Sequence, residues 1–510
     1  MLSKIWTAAT LGIDAVRIVI EVDARGYEQQ PGFTLVGLPD AVVRESIPRV
    51  RSAMHNCGFH LPPRHITLNL APADVRKEGS GFDLPIAIGI LLALGVLEEQ
   101  HVAGRLFVGE LSLDGAVTPV RGTLSISSAI AGDRAVRELL VPLANGNEAA
   151  AVQTTRVVGV PHLTSLVGHL RGVAPLAVAT SAPGTEPPLD WADFADVRGQ
   201  TQAKRSLEVA AAGGHNVMLI GPPGSGKTML AKRLPSILPR LSLEEAIVTT
   251  MIHSVAGMLP TGSGLLAHRP FRAPHHTIST AGLSGGSARV RPGEVSLAHH
   301  GVLFLDELPE FRRETLEAMR QPMEDGTVTI ARALRSVSYP SRFTLAAALN
   351  PCPCGYFNDS RRQCICTPTQ IARYLAKISG PLLDRIDLQV EVAALRGEEI
   401  TSLEPGETSA AIRERVEAAR AVQRERFRRS GISCNAEMTS RHLRKWCALE
   451  PPSRRILLHA IEHLGLSARA HDRILKVART IADLASCEAI ETGHVAEAVQ
   501  YRALDRAYFR

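Results

Sequence analysis

The chain has 510 residues, 45% hydrophobic and 21% charged, a globular composition with room for about three domains that excludes a disordered or fibrous protein. Its net charge of +6 and pI of about 9.0 are a mild basic surplus, which admits an acidic partner without requiring one. The longest apolar stretch, 84–97, contains Pro85, Gly89 and Gly95 and is too short for a membrane span.

No long apolar run follows the start Met1-Leu2-Ser3-Lys4-Ile5-Trp6, so no signal peptide is read, and a cytoplasmic protein without a membrane partner is expected. Residues 1–171 alternate short apolar runs (15–22, 33–36, 66–70) with glycine and proline turns and helical candidates at 41–57, 84–97 and 125–131, which is an α/β pattern. The runs Arg76–Pro85, Phe107–Gly115 and Val117–Gly122 resemble the Lon-type protease fold, a ribosomal-S5-like domain. Laid over that pattern, the serine position falls near Gly81, beside Ser80, and the lysine position near Leu124. A serine without a base is a weak nucleophile, so the expectation is a scaffold that has lost proteolysis. Residues 172–190, small and with four prolines, read as an interdomain linker.

A helix expected over 201–212 leads to Val217-Met218-Leu219-Ile220, a short apolar run that reads as a buried strand. Gly221-Pro222-Pro223-Gly224-Ser225-Gly226-Lys227-Thr228 follows, the G-x-x-x-x-G-K-T spacing of a P-loop opening a helix. Its glycines let backbone N–H groups close around phosphate oxygens at the positive helix end. Lys227 suits the β- and γ-phosphates of ATP, and Thr228 suits Mg²⁺. Downstream, the run 301–307 reads as a buried parallel strand ending in two carboxylates, Asp306, suited to Mg²⁺, and Glu307, suited to polarising the attacking water. A third apolar run, 343–349, ends in Asn350, placed to orient that water or sense the γ-phosphate.

GHNVMLIGPPGSGKTML, FRAPHHTIS, GVLFLDELPEF, LNPCPCGYF, KISGPLLDRIDL and RILKVARTIADL together resemble the ComM/YifB family of magnesium-chelatase-like AAA+ ATPases. The resemblance implies an α/β fold with an AAA+ P-loop core at 191–395 and a C-terminal helical lid at 396–510. It implies a homo-hexameric ring with ATP at the subunit interfaces, acting as a DNA motor in branch migration during natural transformation, with recombination proteins as candidate partners. By the same resemblance Arg385 is the arginine finger, and the second sensor is Arg469, with Arg473 one turn on as runner-up. Read locally, Arg385 could equally pair with Asp384 or Asp387. Two rival readings are a magnesium-chelatase motor subunit and an ATP-dependent Lon-like protease.

Two segments are candidates for DNA. Arg272 opens the first, which otherwise reads as a solvated loop, and the alternating run 326–339 suits a hairpin carrying Arg332 and Arg335 toward phosphates. Eight cysteines in such a chain argue against structural disulfides, and four cluster as two C-x-C pairs. Cys352, Cys354, Cys364 and Cys366 could close a tetrahedral Zn²⁺ site or stand as reduced, partly buried thiols. Residues 409–429 read as a long salt-laced helix, and 453–464, 468–485 and 494–504 as a small helical bundle.

Overall fold

In β4 (Arg64–Ala71) every second side chain, Ile66, Leu68 and Leu70, is buried, the two-residue period of a strand with one covered face. The computed structural model describes residues 2–27, 32–77, 79–181, 192–286, 290–332, 335–359, 362–394, 406–504 and 508. The chain divides into two units, 1–187 with 242–267, and 188–241 with 268–510.

The first unit is built on a seven-stranded mixed sheet. Its strands are β1 (Leu2–Leu11), β2 (Asp14–Tyr27), β3 (Gly32–Val36), β4, β5 (Arg105–Phe107), β8 (Glu138–Pro142) and β9 (Arg156–Val160), in the order β3-β4-β2-β1-β5-β8-β9. β6 (Glu110–Leu111) and β7 (Val117–Thr118) form a separate ribbon. Both faces are covered: in β8, Leu140 points to one apolar cluster while Leu139 and Val141 point to another. The apolar run beginning at residue 84 forms the helix Asp83–Ala93, buried all round, which is why it lacks a polar stripe.

Two boundaries differ from the sequence expectation. The first part of the segment read as linker packs on the sheet: Val178 bridges to Val158 in β9, the Ala179 N–H donates to the Val157 carbonyl, and Leu176 packs on the core. The rest of that segment, 182–190, lies outside the described residues. Ser242–Ala267, expected inside the ATPase segment, belongs to the first unit. A capping box of Ser242 and Glu245 starts its helix Leu243–Ala256, and Gly257 ends it. Met251 packs with Leu124 and Ala151, while Ser254 Oγ accepts from the Gly122 N–H at 2.9 Å and donates to Glu148. Leu124, the position a Lon-type lysine would take, is fully buried, and its N–H donates to Glu148 Oε1 at 3.1 Å.

The second unit holds a five-stranded parallel sheet of β10 (Val217–Ile220), β11 (Phe271–Arg272), β12 (Val302–Leu305), β15 (Thr344–Leu349) and β16 (Leu388–Glu391). The order is β11-β12-β15-β10-β16. β10, β12 and β15 are buried on both faces, so they read as unbroken apolar runs. β13 (Thr327–Arg332) and β14 (Arg335–Pro340) form the expected antiparallel hairpin. The C-terminal helices Ser409–Phe427, Ser440–Trp446, Pro451–Leu464, Ala468–Leu484 and Thr492–Gln500 share one apolar cluster with β10, β12, β15 and β16.

Candidate active site

Because β15 runs between β10 and β12, the C-terminal ends of the three strands bring the P-loop, Asp306-Glu307 and Asn350 together. Gly221 closes β10 at a point where a Cβ would stand 2.2 Å from the Val392 carbonyl oxygen, so only glycine fits. Gly226 turns the loop at φ +92°, and the helix Lys227–Ile237 begins at the next residue. Gln200 holds the loop from outside: its Nε2 donates to the Ala393 carbonyl at 2.7 Å and to the Ser225 carbonyl at 3.3 Å.

Lys227 lies folded into this loop, 8% exposed. Its Nζ donates to the carbonyls of Gly221 (2.8 Å) and Pro222 (2.9 Å) and to Asn350 Oδ1 (3.1 Å). Burial lowers the ammonium to about 8, with the charges of Asp306 and Glu307 opposing the fall. Thr228 Oγ1 donates to Asp306 Oδ2 at 2.7 Å, so the hydroxyl and carboxylate expected at Mg²⁺ meet directly. Such hard oxygen donors suit that ion. Glu307 stands in the left-handed region at φ +52°, its side chain 57% exposed and open to a water. A non-glycine residue held there carries strain of a kind that collects at functional sites.

His276 and Tyr374 lie beside these residues, and the sequence reading gave neither a role in the nucleotide site. His276 Nδ1 lies 3.7 Å from Glu307 Oε2 with its ring against His275. The phenol of Tyr374, a nearly buried residue near the end of the helix Pro368–Leu375, lies near the Asn350 backbone. The histidine pair in FRAPHHTIS was a signal for the first; nothing local marks the second.

Other expected residues are placed elsewhere. Arg385 is buried and pairs with Glu324, its Nη1 donating to the Pro381 carbonyl at 2.6 Å, so neither Asp384 nor Asp387 is its partner. Asp387 instead meets Arg473, His215 Nδ1 at 3.5 Å and the Asn216 N–H at 3.1 Å. Arg473 is thereby committed to the core, whereas Arg469 is 66% exposed and only 4.0 Å from Asp384. Arg272, a candidate DNA contact, forms a two-pronged pair with Glu294 at 2.6 and 2.8 Å. The side chains of Arg332 and Arg335 lie outside the described residues.

The four cysteines do converge. Cys352 Sγ lies 3.3 Å from Cys354 Sγ and 3.7 Å from Cys364 Sγ, Cys354 and Cys364 are 3.6 Å apart, and all four sulfurs fall within 4.8 Å of one another. The group could hold a metal ion.

A parallel sheet of this order, with a P-loop, an acidic pair and an amide at adjacent strand ends, defines a P-loop ATPase of the AAA+ class. Family models described as subunit ChlI of Mg-chelatase, magnesium chelatase subunit ChlI, and its C-terminal part match residues 20–145, 193–400 and 406–502. The chain belongs to the YifB/ComM family of magnesium-chelatase-like AAA+ ATPases. It is 45% identical to YifB of Salmonella typhimurium and 44% identical to the competence protein ComM of Haemophilus influenzae, in each case over 99% of this chain and 98% of the relative. A shorter similarity, 26% identity over 34% of this chain and 21% of the relative, links it to a probable DNA helicase MCM9 of Oryza sativa. Among the described residues no helix is long and apolar enough to cross a membrane.

Proposed function

We propose that this protein is an ATP-hydrolysing ring motor on DNA, a homo-hexamer that drives branch migration while incoming DNA is recombined. The observation that carries the ATPase part is the hydrogen-bonded set Lys227–Asn350 and Thr228–Asp306, with the open carboxylate of Glu307 beside it. In this reading the P-loop N–H groups and Lys227 bind the phosphates, Glu307 takes the proton of the attacking water, and Asn350 orients that water. Thr228 and Asp306 hold Mg²⁺, which supplies charge neutralisation on the phosphate oxygens when bound. Arg385, released from Glu324, reaches the neighbouring subunit's ATP, and Arg469, exposed on the helix Ala468–Leu484, serves as the second sensor.

The DNA part is supported by the name of the Haemophilus relative, by the helicase similarity, and by the two-stranded hairpin β13-β14, which suits a pore-lining role. The four cysteines hold structural Zn²⁺. Burial of Leu124 where a base would stand supports a first unit without proteolysis. The chelatase-named family models favour a second reading, a motor acting on a metal-inserting partner.

One assay separates these readings: ATPase rate with and without a four-way DNA junction, with strand separation followed in the same tube. Stimulation together with ATP-dependent branch migration, both absent in Glu307→Gln, is the expected result. An ATPase indifferent to junction, duplex and single strand would remove the DNA reading.

A further inference from the structure

We propose that the cysteine knuckle is a zinc-dependent positioning device for the nucleotide site, setting both Asn350 and the P-loop, so that metal occupancy governs turnover. The inference rests on the ATPase reading above for what Asn350 does, but the metal site stands on its own geometry.

Four thiolates at a Zn–S distance of about 2.3 Å form a tetrahedron with edges of about 3.8 Å. The sulfur separations of 3.3, 3.6 and 3.7 Å are close to those edges, so the pocket needs only slight expansion to accept the ion. The Cys366 N–H points at Cys364 Sγ at 3.4 Å, tying the second C-x-C turn together. A set of four sulfurs suits Zn²⁺ and leaves no open position for chemistry, so the ion's work is structural.

What that structure holds is the nucleotide sensor. Cys352 is fully buried and only Pro351 separates it from Asn350. On the other side, Cys366 is followed at once by Thr367, whose side chain caps the helix Pro368–Leu375. That helix carries Tyr374, whose phenol lies near the Asn350 backbone. The chain therefore leaves Asn350, passes through all four sulfurs and enters the helix that Thr367 caps, and the metal ties the two ends of that segment together. Without it, two C-x-C turns lose their common tie and the amide that meets Lys227 at 3.1 Å loses its fixed backbone. The knuckle also touches the P-loop. Gly355, at φ +86°, packs so closely that a Cβ would fall 2.5 Å from Pro223 Cδ. On its far side Phe357 meets the ring of Tyr508 edge-on.

The test uses the full chain and three readouts: zinc content, nucleotide affinity and kcat. As purified, the protein should carry about one zinc per chain and be colourless. Removing the zinc with 1,10-phenanthroline, which leaves Mg²⁺ in place, should lower kcat at least tenfold, and added Zn²⁺ should restore it. Cys364→Ser/Cys366→Ser should lose the metal and the rate together. Gly355→Ala should keep its zinc yet bind a fluorescent ATP analogue about tenfold more weakly, because the added methyl displaces Pro223. Reversible recovery on adding zinc, and zinc retained by Gly355→Ala, separate positioning from mere unfolding. A chain that takes up no zinc from added Zn²⁺, or one coloured by iron, would overturn the metal site. Zinc-free protein with unchanged kcat would overturn the positioning role. A zinc-loaded wild type without ATPase activity would instead condemn the ATPase reading, leaving the zinc content and the Gly355→Ala affinity to judge the knuckle.

Discussion

Raising the pH should make ATP binding at this site take up protons, because Lys227 is held at about 8 in the nucleotide-free loop instead of its ordinary 10.5. Burial is the main cause, and the cost of keeping the charge there is at most about 3 kcal/mol, less whatever the open side of the loop screens. The folded value lies below the ordinary one, so between pH 8 and 10.5 the unfolded chain binds more protons. Stability contributed by this group is therefore gained as pH rises through that window, the reverse of what nucleotide binding needs. Phosphate oxygens restore the ammonium, so at pH 8 binding should draw in about half a proton per site. Affinity should weaken about fivefold from pH 8 to pH 9, where the charged form of the empty site becomes scarce. Calorimetric titration of Glu307→Gln with ATP in two buffers of different ionisation enthalpy reads the uptake directly. Lys227→Arg, charged throughout this range, should show none. Identical heats in both buffers for the lysine form, with a flat affinity profile, would refute the reasoning.

Two further outcomes follow from the arginines and the acid beneath the site. Arg385→Ala should lower ATP turnover by about three orders of magnitude while leaving ATP affinity unchanged, since a finger acts only on the transferring phosphoryl group. Its stability cost should be about 1 kcal/mol, because its partner Glu324 is half exposed. Asp387→Ala should cost at least about 3 kcal/mol in a urea titration, as it strips Arg473, His215 and the Asn216 N–H of a buried common acceptor.

The strands that carry the site were legible because central parallel strands are covered on both faces and so appear as unbroken apolar runs. Residues at their C-terminal ends break that run with chemistry, as Gly221, Asp306 and Asn350 do. The hairpin β13-β14 was legible from its period-two alternation. The ion pairs were not. Arg385 chooses Glu324 over two aspartates close by in sequence, and Arg272 chooses Glu294, because tertiary packing decides which carboxylate arrives. Gln200 joins the loop at Ser225 to Ala393, far along the sequence, and no local pattern encodes that reach. The helix Leu243–Ala256 was invisible in a different way: its capping box marks where it starts, but an apolar face does not name the core that will cover it.

That helix also decides how the chain can be cut. A fragment ending at the proline-rich segment contains every strand of the seven-stranded sheet, yet it lacks the side chains of Met251 and Ser254. Leu124 and Ala151 then face water, and the buried carboxylate of Glu148 loses its hydroxyl partner. The first unit is discontinuous in sequence, its core finished by residues translated after the P-loop. Dissecting this protein into pieces that keep their interiors means grafting 242–267 back onto the N-terminal fragment and bridging the gap it leaves, because a single scission separates the sequence without separating the folds.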